Sequence, residues 1–251
     1  EWLCSKILGS LGFKVANTEM ARFEDQKALV VERFDRRWQN IESNAHNAAG
    51  FEPAQDVWIA RLPQEDFCQI SGVAPTMKYE VDGGPGIPRC IEHLAGSLKA
   101  NEDRAQFVLS QLAFWLLAAT DGHAKNFSVF LHRGDGYSMT PLYDVLSAWP
   151  IIGKGVNMLA KQNTKLAMAM HARSTHYKLG EIRVRHWKAL ASTCGADGVW
   201  ERMVNMVEDV DRCLQIEQDR LPVDFPEKTW LRISGGMKQH TEQFKRAMAS
   251  H

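Results

Sequence analysis

The sequence lacks most of what settles a function class at sight. Thirty basic and thirty acidic side chains cancel over 251 residues, so no overall field draws the chain to nucleic acid, and any DNA contact needs a local patch. Cysteine is sparse: five residues (Cys4, Cys68, Cys90, Cys194, Cys213), odd in number and scattered, with no C-x-x-C pair. That argues against a disulfide framework or a cysteine zinc site and leaves reduced thiols, as expected of a cytoplasmic protein. No apolar run approaches the roughly 18 residues of a membrane span, and no signal peptide is visible. Internal repeats and low-complexity segments are missing too. So is a G-x-G-x-x-G: the Gly-rich stretch Asp82-Gly83-Gly84-Pro85-Gly86 does not match it, and reads as a turn into a helix over Ile87 to Leu98.

What is present is ordinary globular material, 45% hydrophobic and 24% charged, enough for one large domain or two small ones. One stretch organises the rest. The apolar run Phe107 to Ala119 reads as a buried helix, and it ends in Thr120-Asp121-Gly122-His123-Ala124-Lys125-Asn126. Ionisable groups at a core edge are expensive unless a metal or charged ligand compensates them. Phe127 to His132, a Gly134-Asp135-Gly136 turn, and Tyr137 to Asp144 then predict a β-hairpin. Such a hairpin returns Asp144 to Asn126 and Asp121. Two carboxylates and an amide make an oxygen-rich site suited to Mg²⁺ on a phosphate chain.

The order Asp-x4-Asn, hairpin, Asp is the catalytic layout of protein-kinase-like phosphotransferases. A lone D-x4-N is weak evidence; its place after a buried helix and before a hairpin gives it weight. With Ala28 to Arg36 (ALVVERFDR), Arg61 to Gln69 (RLPQEDFCQ), Lys78 to Gly86 (KYEVDGGPG) and Ala119 to Phe130 (ATDGHAKNFSVF), the chain closely resembles the HipA toxin kinases of bacterial toxin–antitoxin pairs. The resemblance implies an α+β, protein-kinase-like fold: residues 1–34 as a remnant of the N-terminal lobe with its hinge, and residues 35–251 as the helical C-terminal lobe. It implies ATP and Mg²⁺ as cofactors, with Asp121 orienting the attacking hydroxyl and Asn126 and Asp144 as metal ligands. Glu32, Arg33 and Phe34 would form the adenine hinge, Gln64 would lie near the ribose, and His123 and Lys125 near the phosphates. The resemblance further implies a HipB-like DNA-binding antitoxin, operator DNA reached through that complex, and a translation component as acceptor, glutamyl-tRNA synthetase in the best-known member. The phosphate loop and its lysine should precede Glu1, so the chain is expected to be cut from something longer and catalytically crippled alone. Ala119-Thr120 in place of His-Arg, and Tyr143-Asp144-Val145 in place of Asp-Phe-Gly, depart from eukaryotic protein kinases. Two rival readings stay open: a small-molecule or lipid phosphotransferase, and a non-catalytic pseudokinase that docks a repressor.

Elsewhere the sequence predicts a helix from Trp2 to Leu11 capped by Gly12, and strands over Phe13 to Ala16, Glu19 to Phe23 and Ala28 to Phe34. It predicts a polar surface loop over Asp35 to Gln55 and a helix start at Pro63-Gln64-Glu65-Asp66. Beyond Pro150 it reads as mainly helical, with helices over Tyr177 to Thr193, Val199 to Asp219 and Glu227 to Ser250. The Met203, Met206, Val207, Val210 stripe is read as core. The basic Arg173 to Lys188 segment is read as a solvated face.

Overall fold

The computed structural model describes residues 1–40 and 57–250. In chain order its elements are α1 (Trp2–Ser10), β1 (Thr18–Phe23), β2 (Gln26–Val31), β3 (Arg36–Asn40), β4 (Val57–Arg61), β5 (Gln64–Asp66) and α2 (Phe67–Ile70). Then come α3 (Ile87–Leu94), α4 (Ala100–Leu117), β6 (Ser128–Leu131), β7 (Tyr137–Met139), β8 (Lys165–His171), β9 (Thr175–Lys178), α5 (Val184–Thr193), α6 (Val199–Asp219) and α7 (Glu227–Ala249). The strands form small antiparallel sheets: β1–β2, β3–β4, β5–β6–β7 and β8–β9.

Helix α4 is the axis. From Phe107 to Leu117 every side chain is buried, which requires partners on all sides; α3, α5, α6 and α7 supply them. The α1 residues Leu3, Cys4, Ile7 and Leu8 join the same core, as do Met203, Met206, Val207 and Val210 of α6. The methionine stripe is therefore packing, as its spacing predicts. All five cysteines are buried and free.

Several expectations fall to tertiary context. Phe13 to Ala16 is not a strand: it makes a single parallel bridge, Val15 to Leu142. The second strand stops at Val31 instead of Phe34, because Arg33 turns to grip the buried Asp35 through two hydrogen bonds of 2.7 Å. Of the loop expected over 35–55, residues 36–40 form a strand paired with 57–61, and residues 41–55 lie outside the described residues. The helix start expected at Pro63 comes four residues later, at Phe67. Gln64 to Asp66 pair with β6 first, and Asp66 then caps α2 in a reciprocal box with Gln69 (3.0 and 2.9 Å). The third helix ends at Leu94, four residues short of Leu98, where the Tyr137 hydroxyl takes up the His93 carbonyl at 2.5 Å. Beyond Pro150 the chain is not mainly helical until residue 184. The hairpin β8–β9 occupies 165–178, and α5 starts at Val184, well past Tyr177.

Candidate active site

Helix α4 ends where Ala118 turns left-handed (φ 49°), and Trp149 and Ser147 take up its last carbonyls at Leu116 and Leu117 (2.9 and 2.6 Å). Past this stop residues 120–126 form a short loop at the edge of the core, with Asp121 exposed and Gly122, His123, Ala124 and Asn126 buried. Its fold is fixed locally: His123 N–H donates to the Asp121 carbonyl (2.8 Å) and Asn126 N–H to the His123 carbonyl (2.9 Å). Gly122 is forced by packing, since a Cβ there would sit 2.4 Å from the Phe114 ring.

On this loop the Asp121 carboxylate is half-exposed, at 52% of its side-chain surface. Asn126 is buried, and its amide Nδ2 reaches across the hairpin to the Asp144 carbonyl (3.1 Å) and carboxylate Oδ2 (3.2 Å). Asp144 is exposed and holds a left-handed backbone (φ 56°). That is unusual for a residue with a side chain and aims its carboxylate back at Asn126. The hairpin thus brings Asp144 back to Asn126, which lies on the same loop as Asp121. With Nδ2 committed, the Asn126 amide oxygen and the Asp144 carboxylate are the atoms left to meet a hard cation. Among the described residues no three His, Cys, Asp or Glu side chains cluster to hold a metal unaided. An amide and one carboxylate fit Mg²⁺ only where the ligand's own phosphate oxygens and water complete the shell.

The other expected residues sort differently. His123 is buried against the loop. Its Nε2 lies 3.8 Å from Asp121 Oδ1, and its Nδ1 is buried without a hydrogen-bond partner among the described residues. Burial lowers its pKa, with Asp121 pulling the other way, so the ring is neutral at pH 7. Lys125 points away from the carboxylate pair, to Asp66 at 2.7 Å, and its carbonyl accepts from the Tyr143 hydroxyl (2.8 Å). Gln64 sits opposite Phe130 in the sheet, its Oε1 buried and unpartnered among the described residues. Of the three hinge candidates, Glu32 is tied to Asn17 (3.2 Å) and Arg33 to Asp35. Phe34 lies edge-on to Phe130 (5.8 Å) and beside Tyr143 (5.6 Å). Its own backbone groups have no partner among the described residues. Phe34 and Gln64 therefore both lie against Phe130, four residues along the chain from Asn126.

Tyr79 is the residue that sequence reasoning missed. Its hydroxyl donates to Asp121 Oδ1 at 2.5 Å, and its ring meets His123 edge-on at 5.1 Å. That hydrogen bond, with burial second, pushes the Tyr79 pKa up to about 12. The stretch Lys78 to Gly86 was conspicuous, but nothing in it pointed to a loop 42 residues on.

The family model described as HipA-like C-terminal domain matches residues 1–216. The chain belongs to that family. Among curated relatives of this HipA-like domain, "Putative kinase Y4mE" of Sinorhizobium fredii is 30% identical over 208 residues, covering 81% of this chain and 43% of the relative. "Serine/threonine-protein kinase toxin HipA" of Shewanella oneidensis is 29% identical over 188 residues, covering 68% and 36%. The chain spans less than half the length of these curated relatives. Among solved structures, a chain of the Shewanella oneidensis HipA, HipB and operator DNA complex superposes with a TM-score of 0.79 at 20% identity, over 100% of this chain and 56% of that one. The Helicobacter pylori proinflammatory kinase CtkA superposes with a TM-score of 0.59 at 10% identity, over 98% and 80%. The fold is thus the α+β, protein-kinase-like one that the motifs imply. Among the described residues no helix is long and apolar enough to cross a membrane.

Proposed function

We propose that this chain carries the phosphoryl-transfer site of an ATP-dependent serine/threonine protein kinase of the HipA type. The observation that carries the reading is the Asn126 amide bonded to Asp144 across a hairpin, beside the half-exposed Asp121. In this reading residues 1–34 end the nucleotide-covering lobe and residues 35–251 form the lobe that holds the acceptor. The aromatic floor made by Phe34, Phe130 and Tyr143 takes the adenine. Phe34 offers backbone groups that have no partner among the described residues, and Gln64 faces the ribose. Asn126 and Asp144 would hold Mg²⁺, which when bound with ATP would supply positive charge against the transferred phosphoryl group. Asp121 accepts a hydrogen bond from the acceptor hydroxyl and aligns it. His123, neutral and dry, backs Asp121 without a charge of its own, and Lys125 braces the loop through Asp66.

The relatives are named as kinases, and one as a serine/threonine kinase toxin; this supports a protein hydroxyl as the acceptor. The Shewanella structure contains HipB and operator DNA, which supports a HipB-like antitoxin as partner and operator DNA reached through that complex. A translation component such as glutamyl-tRNA synthetase is the proposed acceptor.

The test uses the full gene product that carries this chain and its Asp121→Asn variant. Each is mixed with γ-labelled ATP, Mg²⁺ and cell lysate, and the proteins are resolved. A discrete labelled protein with the wild type alone is the expected result. Metal-dependent ATP binding without protein labelling would move the reading to a small-molecule phosphotransferase. No ATP binding would leave only a docking module.

A further inference from the structure

A concavity lies downstream of Asp144 and is not used by the site above. It is a groove of about 430 Å³ between the segment 149–162 and helix α7. Its wall carries Trp149 and Ile152, its rim Lys154, Lys161 and Arg232, and no acidic side chain lines it. None of the three cations is in an ion pair among the described residues. Arg232 makes one long contact across the groove, Nη1 to the Ile152 carbonyl at 3.4 Å. Large apolar side chains are left in water beside them: Leu231 is 58% exposed and Ile151 50%.

The floor carries a glycine that packing does not explain. Gly236 is required, because a Cβ there would fall 2.1 Å from the Trp149 ring. Its neighbour Gly235 also lines the groove, yet a Cβ there would meet nothing within 4 Å. Glycine inside a helix costs about 1 kcal/mol against alanine. A bare floor below unpaired cations and exposed apolar groups is the composition of a surface that receives an acidic, partly apolar segment.

Its position says what that segment serves. Trp149 follows Asp144 by five residues, so the groove opens at most about 18 Å along the chain from the Asn126–Asp144 pair. That is the reach of five or six residues of extended peptide. We propose that this groove docks the acceptor protein through an extended acidic stretch with apolar residues interleaved, holding the acceptor hydroxyl near Asp121. The proposal rests on the kinase reading for what is docked, but the groove is tested apart from it.

The probe is a fluorescein-labelled nonapeptide of alternating Glu and Leu around one Ser. It is compared by anisotropy with the same peptide carrying Lys for Glu, and with a ten-nucleotide single-stranded DNA. The acidic peptide is expected to bind, with affinity falling as salt rises. Reversing Lys161 and Arg232 together (K161E/R232E) should weaken it about tenfold or more. Gly235→Leu should weaken it comparably by filling the floor without changing charge, at a helix site where an added Cβ meets nothing within 4 Å. Circular dichroism shows whether each variant is folded, and Gly235→Leu keeps the test alive if the double reversal unfolds. Equal binding of the Lys peptide, or wild-type affinity in Gly235→Leu, overturns the proposal; so does tighter binding of the oligonucleotide. Peptide binding without phosphoryl transfer in the full gene product sinks the kinase reading and leaves the groove. Transfer to a lysate protein with unchanged KM in K161E/R232E sinks the groove and leaves the kinase reading.

Discussion

The Tyr79 hydroxyl donates to Oδ1 of Asp121 across 42 residues of sequence. The phenol is held on two further sides, by the His123 ring edge and by Lys78, whose Nζ lies 5.0 Å over its face. Oδ2 has no hydrogen-bond partner among the described residues, and in the proposed reaction it would be the Asp121 atom that receives the incoming hydroxyl. Because the Tyr79 pKa is pushed up to about 12, the phenol remains a donor at every pH a kinase assay would use.

Tyr79→Phe keeps the ring contact and deletes the donor. Phosphoryl transfer should fall about tenfold in kcat, equivalent to about 1.4 kcal/mol at the transition state, while ATP affinity stays within about twofold. Steady-state kinetics paired with calorimetric ATP titration separate the two. An unchanged kcat would leave the Tyr79 contact without a part in positioning Asp121.

The left-handed backbone at Asp144 gives a second test, one that separates fold from site. Asp and Asn tolerate that conformation better than other residues with side chains. Asp144→Asn should therefore melt within about 2 °C of wild type, yet lose Mg²⁺-dependent ATP binding by tenfold or more. Asp144→Ala loses the ligand and also places alanine at positive φ, which should lower Tm by a further few degrees, on the order of 1 kcal/mol. Titrating ATP with Mg²⁺ and again with EDTA reads the metal-dependent part. Wild-type Mg²⁺-dependent affinity in either variant would overturn the assignment of Asp144 to a metal site.

How much of this was legible follows from how local each signal is. Helices α4 and α6 and the β6–β7 hairpin announced themselves through an unbroken apolar run, a helical stripe and a Gly-Asp-Gly turn. The meeting of Asn126 and Asp144 was legible because that hairpin joins them. Strand β8 was not. Leu166 to Met170 is buried at every position and built of Leu, Ala and Met, good helix formers. What holds it extended is distant: the Glu80 carboxylate accepts from Ala169 N–H (2.6 Å) and meets His171 Nε2 (2.5 Å). Tyr79, one residue before Glu80, escaped notice for the same reason, since its partner lies in another part of the chain. The short strand at Gln64 to Asp66 was masked by a proline and two carboxylates, which resemble a helix start until β6 is there to pair with them.

Acid should find a specific weakness at His240. Its ring is stacked on Trp115 (4.2 Å) and met edge-on by Trp149 (4.8 Å), with Nδ1 2.8 Å from the Trp115 carbonyl. Burial drives its pKa down to about 4, and nearby Lys161 adds to the shift. The unfolded chain, with a histidine pKa near 6.5, binds the proton first. Stability is therefore complete above about pH 6.5 and is lost as pH falls towards 4, by on the order of 3 kcal/mol. Urea midpoints measured between pH 7 and 4 should fall in the wild type, and less steeply in His240→Gln. Parallel curves for the two would assign the acid sensitivity to other groups.

The adjacent glycines of α7 should respond in opposite directions to one methyl group. Gly236→Ala pushes a Cβ into the Trp149 ring, which packs against the helix and cannot retreat without disturbing its Nε1 bond to the Leu116 carbonyl. A cost of about 1–3 kcal/mol is expected. Gly235→Ala meets only open space, restricts the unfolded chain and improves helix propensity, so a gain of up to about 1 kcal/mol is expected. Thermal melts of the two variants beside wild type measure both. Because Trp149 also caps the end of α4 that sets the 120–126 loop, Gly236→Ala should lower phosphoryl transfer as well as Tm. A Gly236→Ala protein with wild-type melting would mean that Trp149 repacks freely, and the stop of α4 would need another cause.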